Sequence, residues 1–212
     1  MAKSKRIVTA LYGGSFNPIH LGHTQLCEWI CKEGYADELW LLVSPLNPLK
    51  ADCDDALLPD TTRLHLARLA VQGIPGLKVS DFEMSLPRPS FMVHTLKALR
   101  KTYPNREFVL LIGADNWLCF SQWRDPEEIL RHHRILVYPR SGYDIDFASL
   151  PSSVQLVDAP LFPISSTEIR ESIAQGRCEG QWLSPEVWEE IRRKKLYHYE
   201  EKAQDSSSCP TN

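Results

Sequence analysis

One stretch, Gly13-Gly14-Ser15-Phe16-Asn17-Pro18-Ile19-His20-Leu21-Gly22-His23, restricts the fold more than any other. The apolar run before it, Ile7-Val8-Thr9-Ala10-Leu11-Tyr12, predicts a buried strand. After it, Leu26, Cys27, Trp29 and Ile30 recur at helical spacing between Thr24 and Glu33, and Gly34 supplies a stop. The stretch is therefore a strand–loop–helix turn at the carboxyl end of a first strand, where open α/β sheets bind ligands. Paired glycines permit a tight turn and let backbone approach a ligand closely. Unpaired amides at the helix start favour an anion, a phosphate above all. His20 and His23, three residues apart, project to the same side of that helix start. Near a reference pKa of about 6.5 their rings can donate to phosphate oxygens and carry partial positive charge. Either alone could cap the helix or pack on the sheet. The pair, just after Gly13-Gly14, points to phosphate chemistry.

The rest of the chain repeats the alternation. Strands are predicted over Asp37 to Val43, Leu77 to Ser80, Glu107 to Ile112, Arg134 to Tyr138 and Val154 to Val157. Helices are predicted over Thr61 to Gly73, Phe91 to Tyr103, Pro126 to His132, Ser166 to Gln175 and Pro185 to about Leu196. Strands alternating with helices imply βαβ units and a mainly parallel sheet. We expect residues 1–200 to form a single domain. Residues 201–212 are polar with three consecutive serines and are expected to be a disordered tail.

Charge and cysteines narrow the function classes. A net charge of −3 provides no basic field, so bulk nucleic-acid binding is not expected. Six cysteines in 212 residues fall short of a disulfide scaffold, the N-terminus has no secretory apolar region, and no run reaches membrane-spanning length. The expectation is a soluble cytoplasmic protein with reduced thiols and no membrane partner. His23, Cys27 and Cys31 fall at i, i+4 and i+8 and could line a metal face, but cysteines on an amphipathic helix are more often small core residues.

A second anion site is suggested by Ile164-Ser165-Ser166-Thr167-Glu168-Ile169-Arg170. Ser165 with Glu168 makes a capping box, which alone explains those residue types. Arg170 needs another reason, because a cation near a helix start opposes the dipole. A polyphosphate over that end, held by amides, hydroxyls and guanidinium together, supplies it. Lys50 closes the Pro-rich segment from Ser44, at the same sheet edge as His20. Gly113 and Asp115 lie at the end of the most apolar strand, where an Asp can accept from ribose hydroxyls or simply cap a helix.

The first stretch resembles the H-x-G-H signature of the nucleotidylyltransferase superfamily, in the form G-G-S-F-N-P-x-H-x-G-H typical of nicotinate-nucleotide adenylyltransferases. Ile164 to Arg170 resembles the superfamily's I-S-S-T-x-I-R motif, and Ser44 to Lys50 resembles its P-x-x-x-P-x-K loop, with Leu49 where a His is usual. Gly113 to Asp115 resembles the family's G-x-D stretch, and Trp123 holds the position of a tryptophan that stacks on the pyridine ring; Trp117 is nearer but does not. Ser90-Phe91-Met92-Val93-His94-Thr95-Leu96 replaces the usual S-Y-T-x-x-T-L, losing a phenol and a hydroxyl.

The resemblance implies a Rossmann-like, doubly wound α/β fold with flanking helices and a small C-terminal helical portion. It implies adenylyl transfer from ATP, with Mg²⁺, to nicotinate mononucleotide. Catalysis would fall to His20, His23, Lys50 and Arg170. ATP would be held by Gly14, Ser15, Phe16, His20, His23, Gly113, Asp115, Ser165, Ser166, Thr167 and Arg170. The mononucleotide would be held by Asn17, Lys50, Ser90, Thr95, Trp123 and Arg124. A homo-oligomer is compatible with all of this. The alternatives are an adenylyltransferase for pantetheine phosphate or nicotinamide mononucleotide, or a nucleotide sensor without turnover.

Overall fold

The computed structural model describes residues 6–45, 57–146 and 150–200. Six strands, β1 (Ile7–Gly14), β2 (Glu38–Val43), β3 (Leu77–Ser80), β4 (Arg106–Gly113), β5 (Arg134–Tyr138) and β6 (Val154–Leu156), form one sheet in the order β3-β2-β1-β4-β5-β6. Every pairing is parallel. That requires a long crossover between successive strands, usually a helix. Helices are supplied for the first four connections by α1 (Leu21–Lys32), α2 (Asp60–Val71), α3 (Met92–Thr102) and α5 (Pro126–His132). Two more helices, α6 (Ser166–Ala174) and α7 (Pro185–Arg193), close the described chain.

The strands are apolar on both faces because both are covered. Ala10, Tyr12, Leu39, Leu41, Val109, Leu111 and Leu136 pack with α1, α2, α6 and α7 on one side. Leu11, Trp40, Leu42, Phe108, Leu110, Ile112, Ile135 and Val137 pack with α3 and α5 on the other. The period-2 alternation of odd and even residues thus divides one apolar sequence between two cores. Cys27 belongs to the first core and is fully buried. Among the described residues no three His, Cys, Asp or Glu side chains gather as a metal cluster, so the helical metal face on α1 is not formed.

Two pieces have no periodic signal. A five-residue helix α4 (Ala114–Leu118) and a 3₁₀ turn (Phe120–Gln122) follow β4 directly and bring Trp117, Phe120 and Trp123 together. They are too short for helical periodicity to register. No helix among the described residues is long and apolar enough to cross a membrane. The topology matters for the site because the strand order switches at β1 and β4: β2 and β3 are laid down on one side of β1, and β4, β5 and β6 on the other. The connections leaving the carboxyl ends of β1 and β4 therefore diverge and leave a crevice.

Candidate active site

The crevice is built first by the loop after β1. Phe16 is 3% exposed and adopts φ +47°, a region that costs an L residue on the order of 1 kcal/mol and persists only when surroundings force it. A side chain on Gly14 would meet the Phe16 ring at 3.0 Å, so the tight turn requires that glycine. Asn17 is 2% exposed, and its Oδ1 accepts from the Tyr197 hydroxyl at 2.9 Å and the Leu58 amide at 3.4 Å.

Both histidines stand at the start of α1, their rings stacked with centroids 3.6 Å apart. The His20 amide donates to His23 Nδ1 at 3.2 Å. That bond makes Nδ1 the acceptor of the neutral ring and leaves Nε2–H as a donor. His20 Nδ1 is buried with no hydrogen-bond partner. It lies beside Gly22, 3.1 Å from where a side chain there would begin, and so faces the first turn of α1.

The sequence expectation of partial charge on these rings is corrected. Burial, followed by the field of Arg140, pushes His20 down to about 3. His23 lies among the rings of Tyr12, Phe16 and His20, and burial, then His20 and Arg140, hold it well below 6.5. Both rings are neutral near pH 7 in the free protein. They act there as dipolar donors.

The start of α6 docks onto the same loop. Ser166 Oγ donates to the Pro18 carbonyl at 2.8 Å, and Arg170 Nη1 donates to the Asn17 carbonyl at 2.9 Å. Arg170 Nη2 lies 3.4 Å from Thr167 Oγ1. Ser165 Oγ accepts from the Glu168 amide at 3.1 Å, so the capping reading of that serine holds as well. Two stretches 140 residues apart in the chain thus meet in one place. Lys50 lies outside the described residues.

At the end of β4, Gly113 leaves space that the Asp115 carboxylate, Arg140 and the Tyr138 ring occupy. Asp115 Oδ1 is buried, 3.4 Å from Arg140 Nε, with no hydrogen bond closed to it. Arg140 Nη2 donates to the Tyr138 hydroxyl at 2.9 Å, and the Tyr138 and Tyr12 hydroxyls lie 2.9 Å apart. Arg140 was not anticipated. It follows β5 in Pro139-Arg140-Ser141-Gly142, which has no periodicity to mark it; only its position at a third strand's carboxyl end could have drawn notice.

The mononucleotide candidates are placed less uniformly. Trp123 is half-buried against Phe120, centroids 5.2 Å apart, with an unpartnered buried Nε1. Arg124 is exposed and 3.5 Å from the Asp125 carboxylate. Thr95 Oγ1 donates to Glu83 at 2.8 Å and Ser90 Oγ at 3.5 Å, both within the protein. Burial raises the Glu83 carboxyl despite those donors. The hydroxyls of Ser90 and Thr95 are therefore both turned to Glu83, their common buried acceptor and a residue that sequence reasoning missed.

Comparison with known proteins gives a consistent picture. The cytidylyltransferase-like family matches residues 11–172. A Bacteroides fragilis protein named "probable nicotinate-nucleotide adenylyltransferase" is 45% identical over 211 residues, covering 100% of both chains. A Bacteroides thetaiotaomicron protein of the same name is 47% identical over 192 residues, covering 91% of this chain and 94% of the other. Among solved structures, Plasmodium falciparum nicotinic acid mononucleotide adenylyltransferase complexed with NaAD superposes with TM-score 0.75 at 18% identity, over 92% of this chain and 98% of that one. The same protein complexed with APC gives 0.74 at 19% identity, with the same coverage. At those identities the likeness shows the fold.

Proposed function

The chain belongs to the nicotinate-nucleotide adenylyltransferases of the cytidylyltransferase-like family, and from that premise we propose that its crevice joins ATP to nicotinate mononucleotide, giving nicotinate adenine dinucleotide and pyrophosphate. The observation that carries this reading is the convergence of the stacked His20–His23 pair with the Arg170 end of α6 on one glycine loop.

The chemistry requires little of the protein beyond placement. An oxygen of the mononucleotide phosphate bonds to the α-phosphorus of ATP, the bond from that phosphorus to the β-bridging oxygen breaks, and pyrophosphate departs. The nucleophile is already ionised, so no protein base is needed. In-line positioning and neutralisation of developing charge supply the rate. His23 Nε2–H and the His20 ring face the α-phosphoryl oxygens. The α6 hydroxyls, its amides and Arg170 hold the departing phosphates, with Lys50 assigned there by motif. Among the described residues Asp115 is a carboxylate at the crevice, and with phosphate oxygens and water it would suit a Mg²⁺ carried by ATP. When bound it neutralises triphosphate charge. Trp123 stacks on the pyridine ring, and Asn17 stays with the loop that holds the mononucleotide phosphate.

A panel of ATP and Mg²⁺ with nicotinate mononucleotide, nicotinamide mononucleotide or pantetheine phosphate, read by product mass, tests the assignment. We expect the acid to exceed the amide by about 100-fold in kcat/KM, or about 2.7 kcal/mol. Arg124 beside the stacking candidate favours an anion, against the carboxylates of Asp125, Glu127 and Glu128 at the start of α5. Trp123→Ala should raise the mononucleotide KM while ATP affinity stays nearly constant, as loss of stacking area predicts. Equal rates with acid and amide, or an unaltered KM in Trp123→Ala, refutes this pocket.

Neutral histidines carry a second expectation. Below about pH 6.5 the unfolded chain binds protons that the folded rings refuse. Stability contributed by these rings therefore declines from about pH 6.5 toward the His20 value of about 3. Thermal melts of wild type and His20→Ala across that range measure this directly. An alanine variant with the same pH dependence as wild type would show that the ring is not held neutral by burial.

A further inference from the structure

Arg63 is 0% exposed, the largest fully buried side chain among the described residues, and none of the roles above uses it. It lies near the start of α2. Nη1 donates to the Ser15 carbonyl at 2.6 Å and the Ser44 carbonyl at 2.9 Å. Nη2 donates to Asp60 Oδ1 at 2.6 Å and the Pro45 carbonyl at 3.3 Å, and Nε to the Leu58 carbonyl at 2.9 Å. One guanidinium thus ties the loop after β1, the segment after β2 and the entry to α2.

Burying a cation is expensive even when it is paired, and an apolar side chain would fill the volume without that penalty. What an apolar side chain cannot do is fix the direction of carbonyls. The Ser15–Phe16 peptide is trans. With the Ser15 carbonyl turned to Arg63, the Phe16 amide must point the opposite way. Phe16 is also the residue held at φ +47°, a conformation that needs an external constraint. The lattice extends further, since Leu58 donates its own amide to Asn17 Oδ1.

We propose that Arg63 is a positioning residue for adenylyl transfer. It sets the gap between the histidine loop and the segment after β2, and it turns the Phe16 amide toward the phosphates of ATP. This rests on the adenylyltransferase reading above.

The test compares wild type, Arg63→Lys and Arg63→Ala, with and without millimolar guanidinium or methylguanidinium. Thermal melts report folding, and the ³¹P resonance of the α-phosphate of bound ATP reports placement without turnover. We expect kcat to fall between about 10- and 100-fold, the cost of misplacement by roughly an ångström, while ATP affinity changes by no more than a few-fold. Lysine, a point donor, should restore folding and leave kcat low. Guanidinium should restore kcat and the ³¹P shift in Arg63→Ala. If that variant does not fold, Arg63→Lys decides. A folded variant with kcat within twofold of wild type and an unmoved ³¹P resonance overturns the proposal, as does a kcat loss that tracks only the unfolded fraction. Wild type lacking turnover would refute the reaction instead, and the ³¹P comparison would still decide the role of Arg63.

Discussion

His23→Ala is expected to fold, to bind ATP within several-fold of wild type, and to lose about 10²–10³ in kcat, the usual cost of removing one donor aimed at developing charge. His20→Ala should fall in the same range. The structure gives the two rings different reasons. His23 has its Nδ1 occupied by the His20 amide, which leaves Nε2–H as its donor. His20 keeps Nδ1 buried beside Gly22 in the first turn of α1, so its ring is oriented by the helix start itself. Because both rings are held neutral, the useful property is a fixed dipole and not a permanent charge. His23→Gln, which keeps a neutral donor, should therefore lose less than His23→Ala. Steady-state kcat with saturating substrates measures all of these. An unchanged kcat in either alanine variant removes that ring from the mechanism.

The site was readable in the sequence wherever residue type and local order coincide. Gly13 to His23 announces a strand, a turn and a helix start in one stretch, and the structure builds all three there. The mainly parallel sheet followed from apolar runs alternating with amphipathic ones, and its doubly wound order from the resemblance. What could not be read is side chains whose meaning depends on distant partners. Arg63 satisfies carbonyls of Ser15, Ser44, Pro45 and Leu58, and Tyr197 reaches Asn17 across 180 positions. Neither shows a spacing rule. One signal for Arg63 was available, however. A cation near a helix start opposes the dipole, and that same oddity singled out Arg170. The histidine charge was misjudged for a related reason: a reference pKa belongs to a solvated ring, and these rings are packed against Tyr12, Phe16 and each other.

Arg170→Ala is expected to lower kcat/KM for ATP by about 10³, with part of the loss in KM and part in kcat. Arg170 has two tasks. Its Nη1 braces the Asn17 carbonyl, and the rest of the guanidinium lies beside Thr167 at the helix start to which the proposed reaction assigns the departing phosphates. Hydrogen bonds to charged groups contribute about 1.5–3 kcal/mol each, so losing a two-pronged phosphate contact costs about 4 kcal/mol, hence the thousandfold figure. Arg170→Lys keeps the charge and loses the fork, so it should sit between alanine and wild type. Stability should change far less, because Arg170 is only half-buried and Ser165 still caps the helix through the Glu168 amide. Ser166→Ala provides the complementary control. It removes the hydroxyl bond to Pro18 that docks α6 and should weaken folding by about 1 kcal/mol. Isothermal titration with ATP, steady-state kinetics and thermal melts on the same three variants separate the two tasks. Wild-type kinetics in Arg170→Ala would reduce this end of α6 to a well-capped helix and return the triphosphate to Lys50 and the histidine loop.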